Sequence, residues 1–292
     1  MAPVTPSLRQ RLLRDEPLIV PGVYDAMSAL LVETGGFDAA YLSGASIAYT
    51  QLGRPDVGLV SFDHVADVVR RIRERVAIPL VVDADTGWGG ALNVQRVVQI
   101  FERAGASAIQ LEDQSFPKRC GHLDGKEVIP AKEMVEKIRA ACHARRSSET
   151  LIVARTDARA VHGLDEALDR SELYVEAGAD ILFVEALLSH DELRTCSERL
   201  GGKAPLVANM VEGGRTPLLS ASEAHGLGYK IVLAPGALVR VLVPTVRDFL
   251  RNLREEGSTA GWRDRMLDLD SLNAFLGTSE LLASVGSSDP KR

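Results

Sequence analysis

The chain has 292 residues, 46% of them hydrophobic and 25% charged, with a formal net charge of −6. That apolar fraction excludes a disordered chain, and 25 Gly with 13 Pro is far from a collagen-like or linker composition. The acidic balance, with basic residues clustered no further than pairs such as Arg70-Arg71 and Arg145-Arg146, argues against nucleic acid as a partner.

Length alone allows two small domains or one large one with appendages. Residues 1–15 are polar with helical spacing and carry no secretory pattern, and the longest apolar runs are strand-length, so no membrane span is expected. Strand-like runs follow at 18–20, 39–42, 79–82, 108–111, 151–154, 181–184, 205–208 and 231–233. Each is followed by a segment with helical spacing; in 63–76, Val65, Val68, Val69, Ile72 and Val76 share one face. Several helices end in Gly-containing turns, as at Gly105 and Gly178, that lead straight into a strand. An open doubly wound sheet has the same local grammar, but eight regular repeats predict a parallel (β/α)8 TIM-type barrel. The barrel is expected over 1–257, including a long helix after strand eight that contains Pro244. A helical extension over 258–285 and a disordered tail over 286–292 complete the domain reading. Cys120, Cys142 and Cys196 lack paired spacing, which suits a reducing cytoplasm, and the last two fall in helical patterns as packing residues.

Active sites of such barrels lie at the C-terminal strand ends, and here those ends are charged or polar. They carry Ser43-Gly44, Asp83 and Asp85, Glu112-Asp113, Arg155 and Asp157, Glu185, and Asn209 with Glu212. Buried charges are costly unless paired or metal-bound, so folding alone does not account for them. Asp83 and Asp85, two apart on a strand, are expected on one face, and with Glu112 they form an oxygen-ligand cluster suited to Mg²⁺ or Mn²⁺. On the loop after the fourth strand, Cys120 lies among Lys118, Arg119 and His122, a positive field expected to lower its thiol pKa. Gly121 would let that loop close over a ligand. Arg155 has the planar fork suited to a substrate carboxylate, and Asn209 with the 212–217 loop offers hydrogen bonds to a second anionic group. No phosphate-loop or dinucleotide motif occurs, so a nucleotide cofactor is not expected.

From Pro21-Gly22-Val23-Tyr24-Asp25-Ala26 to about Gly257 the sequence resembles the isocitrate lyase / phosphoenolpyruvate mutase superfamily. Lys118-Arg119-Cys120-Gly121-His122 is specific to its carbon–carbon lyase branch, and Asp83 to Gly89, Glu112-Asp113-Gln114 and Ala208 to Gly214 support it. Within that branch the chain is similar to methylisocitrate lyases, 2,3-dimethylmalate lyases and carboxyphosphonoenolpyruvate mutase. The resemblance implies Mg²⁺ at Asp83, Asp85 and Glu112, partly through water, with Asp56 nearby. It implies an oxoacid carboxylate held at Ser43, Gly44 and Ala45, and a pocket lined by Arg155, Glu185 and Asn209. It also implies a homotetramer with the helices after strand eight swapped between subunits.

These parts suggest retro-aldol cleavage of a 2-hydroxy di- or tricarboxylate to a 2-oxoacid and a second carboxylate. Cys120 would be the proton donor, with Lys118, His122 and Arg155 in the catalytic set; Glu185 or a metal-bound water would be the base. Arg240 matches an arginine of methylisocitrate lyases and could bind a third carboxylate, whereas Glu212-Gly213-Gly214 favours the 2-alkylmalate or mutase-like subgroup. Carboxyphosphonoenolpyruvate mutase-like C–P chemistry and oxaloacetate hydrolysis are the alternatives. A Schiff-base aldolase is disfavoured because no strand ends in lysine.

Overall fold

Eight strands alternate with helices along the chain in a computed structural model, which describes residues 5–123 and 125–286. The strands are β1 (Leu18–Val23), β2 (Ala40–Leu42), β3 (Leu80–Asp83), β4 (Ala108–Glu112), β5 (Leu151–Thr156), β6 (Ile181–Val184), β7 (Val207–Asn209) and β8 (Ile231–Ala234). All pair in parallel, in the order β6-β5-β4-β3-β2-β1-β8-β7. One parallel bridge, Leu182 opposite Leu206, joins β6 to β7. Neighbours in sequence are neighbours in the sheet, so this is a nearly closed TIM-type barrel and not a doubly wound sheet.

Alternate strand residues form the interior. Leu18 and Val20, Leu151 and Val153, Ile181 and Phe183, and Ile231 and Leu233 belong to one buried cluster, as a two-residue side-chain period requires. Leu8 joins it from the helix Leu8–Leu12, which a Ser7/Gln10 capping box starts. From the same helix Arg9 donates to Asp180 Oδ1 at 2.9 Å and Arg11 to Asp38 Oδ2 at 2.7 Å. Both acids precede strands, so this helix covers the N-terminal end of the barrel and leaves the other end for chemistry. Outside, the helix Phe62–Arg73 buries Val65, Val68, Val69 and Ile72, the stripe that its spacing predicts. The helix Ala91–Ala104 stops at Gly105, whose φ of 105° turns the chain so that Ser107 N–H reaches Leu80 O at 2.8 Å.

The chain divides into two compact units, 1–239 and 240–292, with the break inside the helix Ala237–Glu256. Pro244 lies within that helix, which continues past it. The second unit adds a 3-10 turn, Ala260–Arg265, and helices Leu269–Leu276 and Thr278–Gly286. Inside it Phe249 meets Trp262 edge-on at 5.5 Å, and Arg265 covers the Trp262 ring at 4.0 Å. Gly286 ends the last helix; the rest of the tail expected to be disordered, 287–292, lies outside the described residues. Among the described residues no helix is long and apolar enough to cross a membrane.

Candidate active site

The acidic cluster assembles at the C-terminal ends of β2, β3 and β4. Asp83 is the last residue of β3, but Asp85 has left the strand: its φ is 44°, in the left-handed region. The expectation that strand alternation places both on one face is therefore corrected; a turn brings them together. An ideal Cβ on Gly44 would lie 3.4 Å from Asp83 Oδ2 and 3.5 Å from Asp85 Oδ1, so both carboxylates face the start of the turn after β2. There Gly44 N–H donates to Asp83 Oδ2 at 3.3 Å, Ser43 Oγ accepts from Ser46 N–H at 3.2 Å, and Ala45 follows, half-buried.

Asp83 is also held from below. Its Oδ1 accepts from Gln110 Nε2 at 3.2 Å, and Gln110 Oε1 accepts from the Tyr41 hydroxyl at 3.1 Å. Lys118 sends its ammonium inward, 2.7 Å from Asp85 Oδ1 and 2.5 Å from Asp56 Oδ1. Glu112 Oε2 lies 3.3 Å from Arg155 Nε, while its Oε1 is buried with no hydrogen-bond partner.

Burial drives the electrostatics of this cluster. It pushes the Asp85 carboxyl up to about 7 although Lys118 opposes it, and it pushes Glu112 well above the usual carboxylate range although Arg155 opposes it. Burial alone would pull the Lys118 ammonium down, but Asp85, Asp56, Glu112 and Asp83 together hold it well above its ordinary value. Four buried carboxylates thus share too little positive charge, and one oxygen, Glu112 Oε1, stands unpartnered. All-oxygen donors of this kind fit a hard divalent cation. Among the described residues no three His, Cys, Asp or Glu side chains are arranged to hold an ion.

A loop leaves β4 and returns through the antiparallel bridge of Gln114 with Val128, which pins its base. At its far end Gly121 lies against the strand ends so closely that a Cβ there would be 2.3 Å from Arg155 Nη2 and 2.8 Å from Glu185 Oε2. His122 Nδ1 accepts from Arg215 N–H at 3.1 Å, which puts its proton on Nε2, and burial lowers its pKa, so the ring is neutral. Nε2 faces Glu185 Oε1 at 3.4 Å without closing a hydrogen bond. The Cys120 thiol, expected to be acidified by its basic neighbours, is instead raised. Burial outweighs the His122 backbone N–H that faces its sulfur, and Asp56 and Glu185 counter Arg155. Cys120 is therefore held as a thiol.

Arg155, the penultimate residue of β5, has every nitrogen aimed at protein acids. Nε donates to Asp157 Oδ2 at 2.9 Å, Nη2 to Asp157 Oδ1 at 3.2 Å, and Nη1 lies 3.2 Å from Glu185 Oε2. Its guanidinium also covers the Phe183 ring at 5.1 Å. Glu185 accepts from Asn209 Nδ2 at 3.0 Å and from Ala186 N–H at 2.9 Å, while Asn209 Oδ1 stays unpartnered.

The strand ends and the loop thus bring together Ser43, Gly44, Ala45, Asp56, Asp83, Asp85, Glu112, Lys118, Cys120, Gly121, His122, Arg155, Glu185 and Asn209. Arg240 belongs to the second unit, exposed on the helix Ala237–Glu256. Sequence reasoning passed over Tyr41 and Gln110, each inside a run read as apolar strand; a glutamine in the middle of a buried strand was the available signal. It also passed over Lys126, whose ammonium donates to Gly121 O and to Asp157 Oδ1 at 2.8 Å.

The fold agrees with what the chain is similar to. Residues 8–254 match the family model described as phosphoenolpyruvate phosphomutase, and the chain belongs to that family, within the isocitrate lyase / phosphoenolpyruvate mutase superfamily. Its named relatives include lyases. It is 47% identical over 259 residues to a 2-methylisocitrate lyase of Aeropyrum pernix, covering 89% of this chain and 82% of that one. It is 41% identical over 274 residues to the 2,3-dimethylmalate lyase of Eubacterium barkeri, covering 94% of each. Among solved structures, oxaloacetate acetylhydrolase with 3,3-difluorooxalacetate superposes with a TM-score of 0.91 at 31% identity, covering 98% of this chain and 97% of that one. A phosphonopyruvate hydrolase complex with oxalate and Mg²⁺ gives 0.85 at 30% identity, covering 94% and 95%.

Proposed function

We propose that the chain is a Mg²⁺-dependent carbon–carbon lyase that cleaves a 2-hydroxy di- or tricarboxylate of the methylisocitrate or 2-alkylmalate type. One observation carries this reading: a thiol kept protonated by burial, on a loop packed onto Arg155 and Glu185, beside a cluster of acids short of positive charge. The named lyases among its relatives support it.

Mg²⁺ or Mn²⁺, held by Asp83, Asp85 and Glu112 partly through water with Asp56 nearby, would polarise the substrate's hydroxyl and carboxylate oxygens and lower the hydroxyl pKa. Ser43, Gly44 and Ala45 form the seat of the carboxylate that ends in the oxoacid: the Ser43 hydroxyl and the Ala45 N–H donate to it, while the Gly44 N–H on Asp83 and the Ser43 N–H on Val23 O hold the turn in place. Glu185, steadied by Asn209 and Arg155, takes the hydroxyl proton. As the carbonyl forms, the neighbouring C–C bond breaks and its electron pair moves onto the carbon beside the departing carboxylate. Cys120 gives that carbon its Sγ proton, and the His122 backbone N–H steadies the thiolate left behind. Arg155 and the His122 Nε2–H stabilise the charge in transit, and Lys118 offsets Asp56 and Asp85. The cycle closes when the proton on Glu185 returns to the thiolate.

The test is a panel of methylisocitrate, 2,3-dimethylmalate, 2-methylmalate, oxaloacetate and phosphonopyruvate with Mg²⁺, each assayed for released oxoacid or, for oxaloacetate, released oxalate. Turnover of a 2-hydroxy acid supports the reading, and none, with metal bound, overturns it. The likeness to oxaloacetate acetylhydrolase favours a second reading, hydrolysis of oxaloacetate, which the same panel separates.

We also propose a homotetramer in which the helices after β8 are exchanged. Val241, Leu250, Leu269 and Leu282 are each more than half exposed, and exchange of these helices would cover them. Light scattering that gives a monomer would contradict this.

A further inference from the structure

We propose that Lys126 is a positioning residue that ties closure of the Cys120 loop to the setting of Arg155. Its side chain is 2% exposed, and its ammonium spans two groups: the carbonyl of Gly121, at the far end of the loop, and Asp157 Oδ1, 2.8 Å away beneath it. The same Asp157 carboxylate grips Arg155 through both oxygens. Asp157 cannot drift, because its backbone N–H donates to Asp113 Oδ1 at 2.9 Å. Asp113 Oδ2 in turn accepts from Thr156 Oγ1 at 2.7 Å, from the Tyr174 hydroxyl at 2.8 Å and from Arg170 Nη1 at 3.2 Å. Lys126 lies two residues before Val128, at the pinned base of the loop. A fixed ammonium thus reads the position of Gly121.

With the loop down, Lys126 has both partners and Gly121 is packed against Arg155 and Glu185. Lifting the loop strips a buried ammonium of one acceptor and leaves it on Asp157, the carboxylate that also grips Arg155. Closure and the orientation of Arg155 therefore form one cooperative state, in which Asp157 is the shared element. The catalytic consequence rests on the proposed role of Cys120, but the geometry does not.

Lys126→Met tests this in a chain whose Cys142 and Cys196 are replaced by alanine, with iodoacetamide as the probe of Cys120. Losing a nearby positive charge would by itself raise the thiol pKa and slow alkylation, so acceleration reports opening of the loop. The expected result is alkylation faster by about tenfold, the order of a hydrogen bond to a charged group, with kcat reduced more than KM is raised. Asp157→Asn, nearly isosteric, should accelerate alkylation in the same direction and provides the comparison should Lys126→Met fail to fold. Alkylation within twofold of the parent in either folded variant would overturn the proposal, whatever the activity assay shows. The lyase reading fails separately, if no 2-hydroxy acid is cleaved while the alkylation result holds.

Discussion

Replacing Gly121 by alanine adds one methyl group at the tightest point of the site. The new Cβ would lie 2.3 Å from Arg155 Nη2, 2.7 Å from Glu185 Cγ and 2.8 Å from Glu185 Oε2. Neither neighbour can retreat freely: Arg155 is bound by Asp157 and Glu112, and Glu185 by Asn209 and its own turn. Forcing a methylene into such packing costs about 1–3 kcal/mol. Only the closed loop meets the clash, so the cost falls on closure, and at ~1.4 kcal/mol per factor of ten kcat/KM should fall about 5- to 150-fold. The barrel core is untouched, so Tm should fall by less than about 3 °C. Oxoacid release at low substrate concentration measures the first quantity and a thermal melt the second, with Cys120 alkylation as a check on opening. Parental kcat/KM with a parental alkylation rate would refute the claim that the loop works in this closed position.

Gln110→Leu should weaken Mg²⁺ or Mn²⁺ binding about 10- to 100-fold in calorimetric titration, because Asp83 Oδ1 loses the amide that orients it. Unchanged affinity would remove Asp83 from the metal-binding set. The Cys196 thiol, pushed up to about 11 by burial, stays neutral in the folded chain where an exposed thiol ionises. A raised folded pKa means its contribution is intact below about pH 9 and is lost as pH rises toward 11, worth about 2–3 kcal/mol at the end. Cys196→Ala should therefore show a shallower loss of stability between pH 9 and 11 in denaturant titrations, whatever its stability at neutral pH; parallel curves would exclude this origin.

Much of the barrel was legible because its signals are local. Aliphatic runs fix the strands, and a left-handed glycine such as Gly105 marks where a helix must turn back to the sheet. The strand-end carboxylates were legible too, since charge at those positions conflicts with burial. What stayed hidden depends on tertiary neighbours. Tyr41 and Gln110 look like strand interior until Asp83 is placed beside Gln110. Asp85 reads as strand until its backbone is seen to turn. The sign of the Cys120 shift reversed because sequence shows the basic neighbours but neither the burial nor Asp56 and Glu185. Likewise Arg155, read as an open fork for a substrate carboxylate, has its nitrogens directed at Asp157, Glu185 and Glu112.

The role proposed for Cys120 is to deliver the proton that completes C–C cleavage. Running the reaction in deuterated water with the best substrate of the panel, and reading the carboxylate product by mass spectrometry, tests it most directly. One solvent deuterium is expected on the carbon that lost the bond, with a rate reduced about 10²- to 10⁴-fold in Cys120→Ser and Mg²⁺ and oxoacid binding retained. Full activity of that variant, or a product without solvent deuterium, would contradict it.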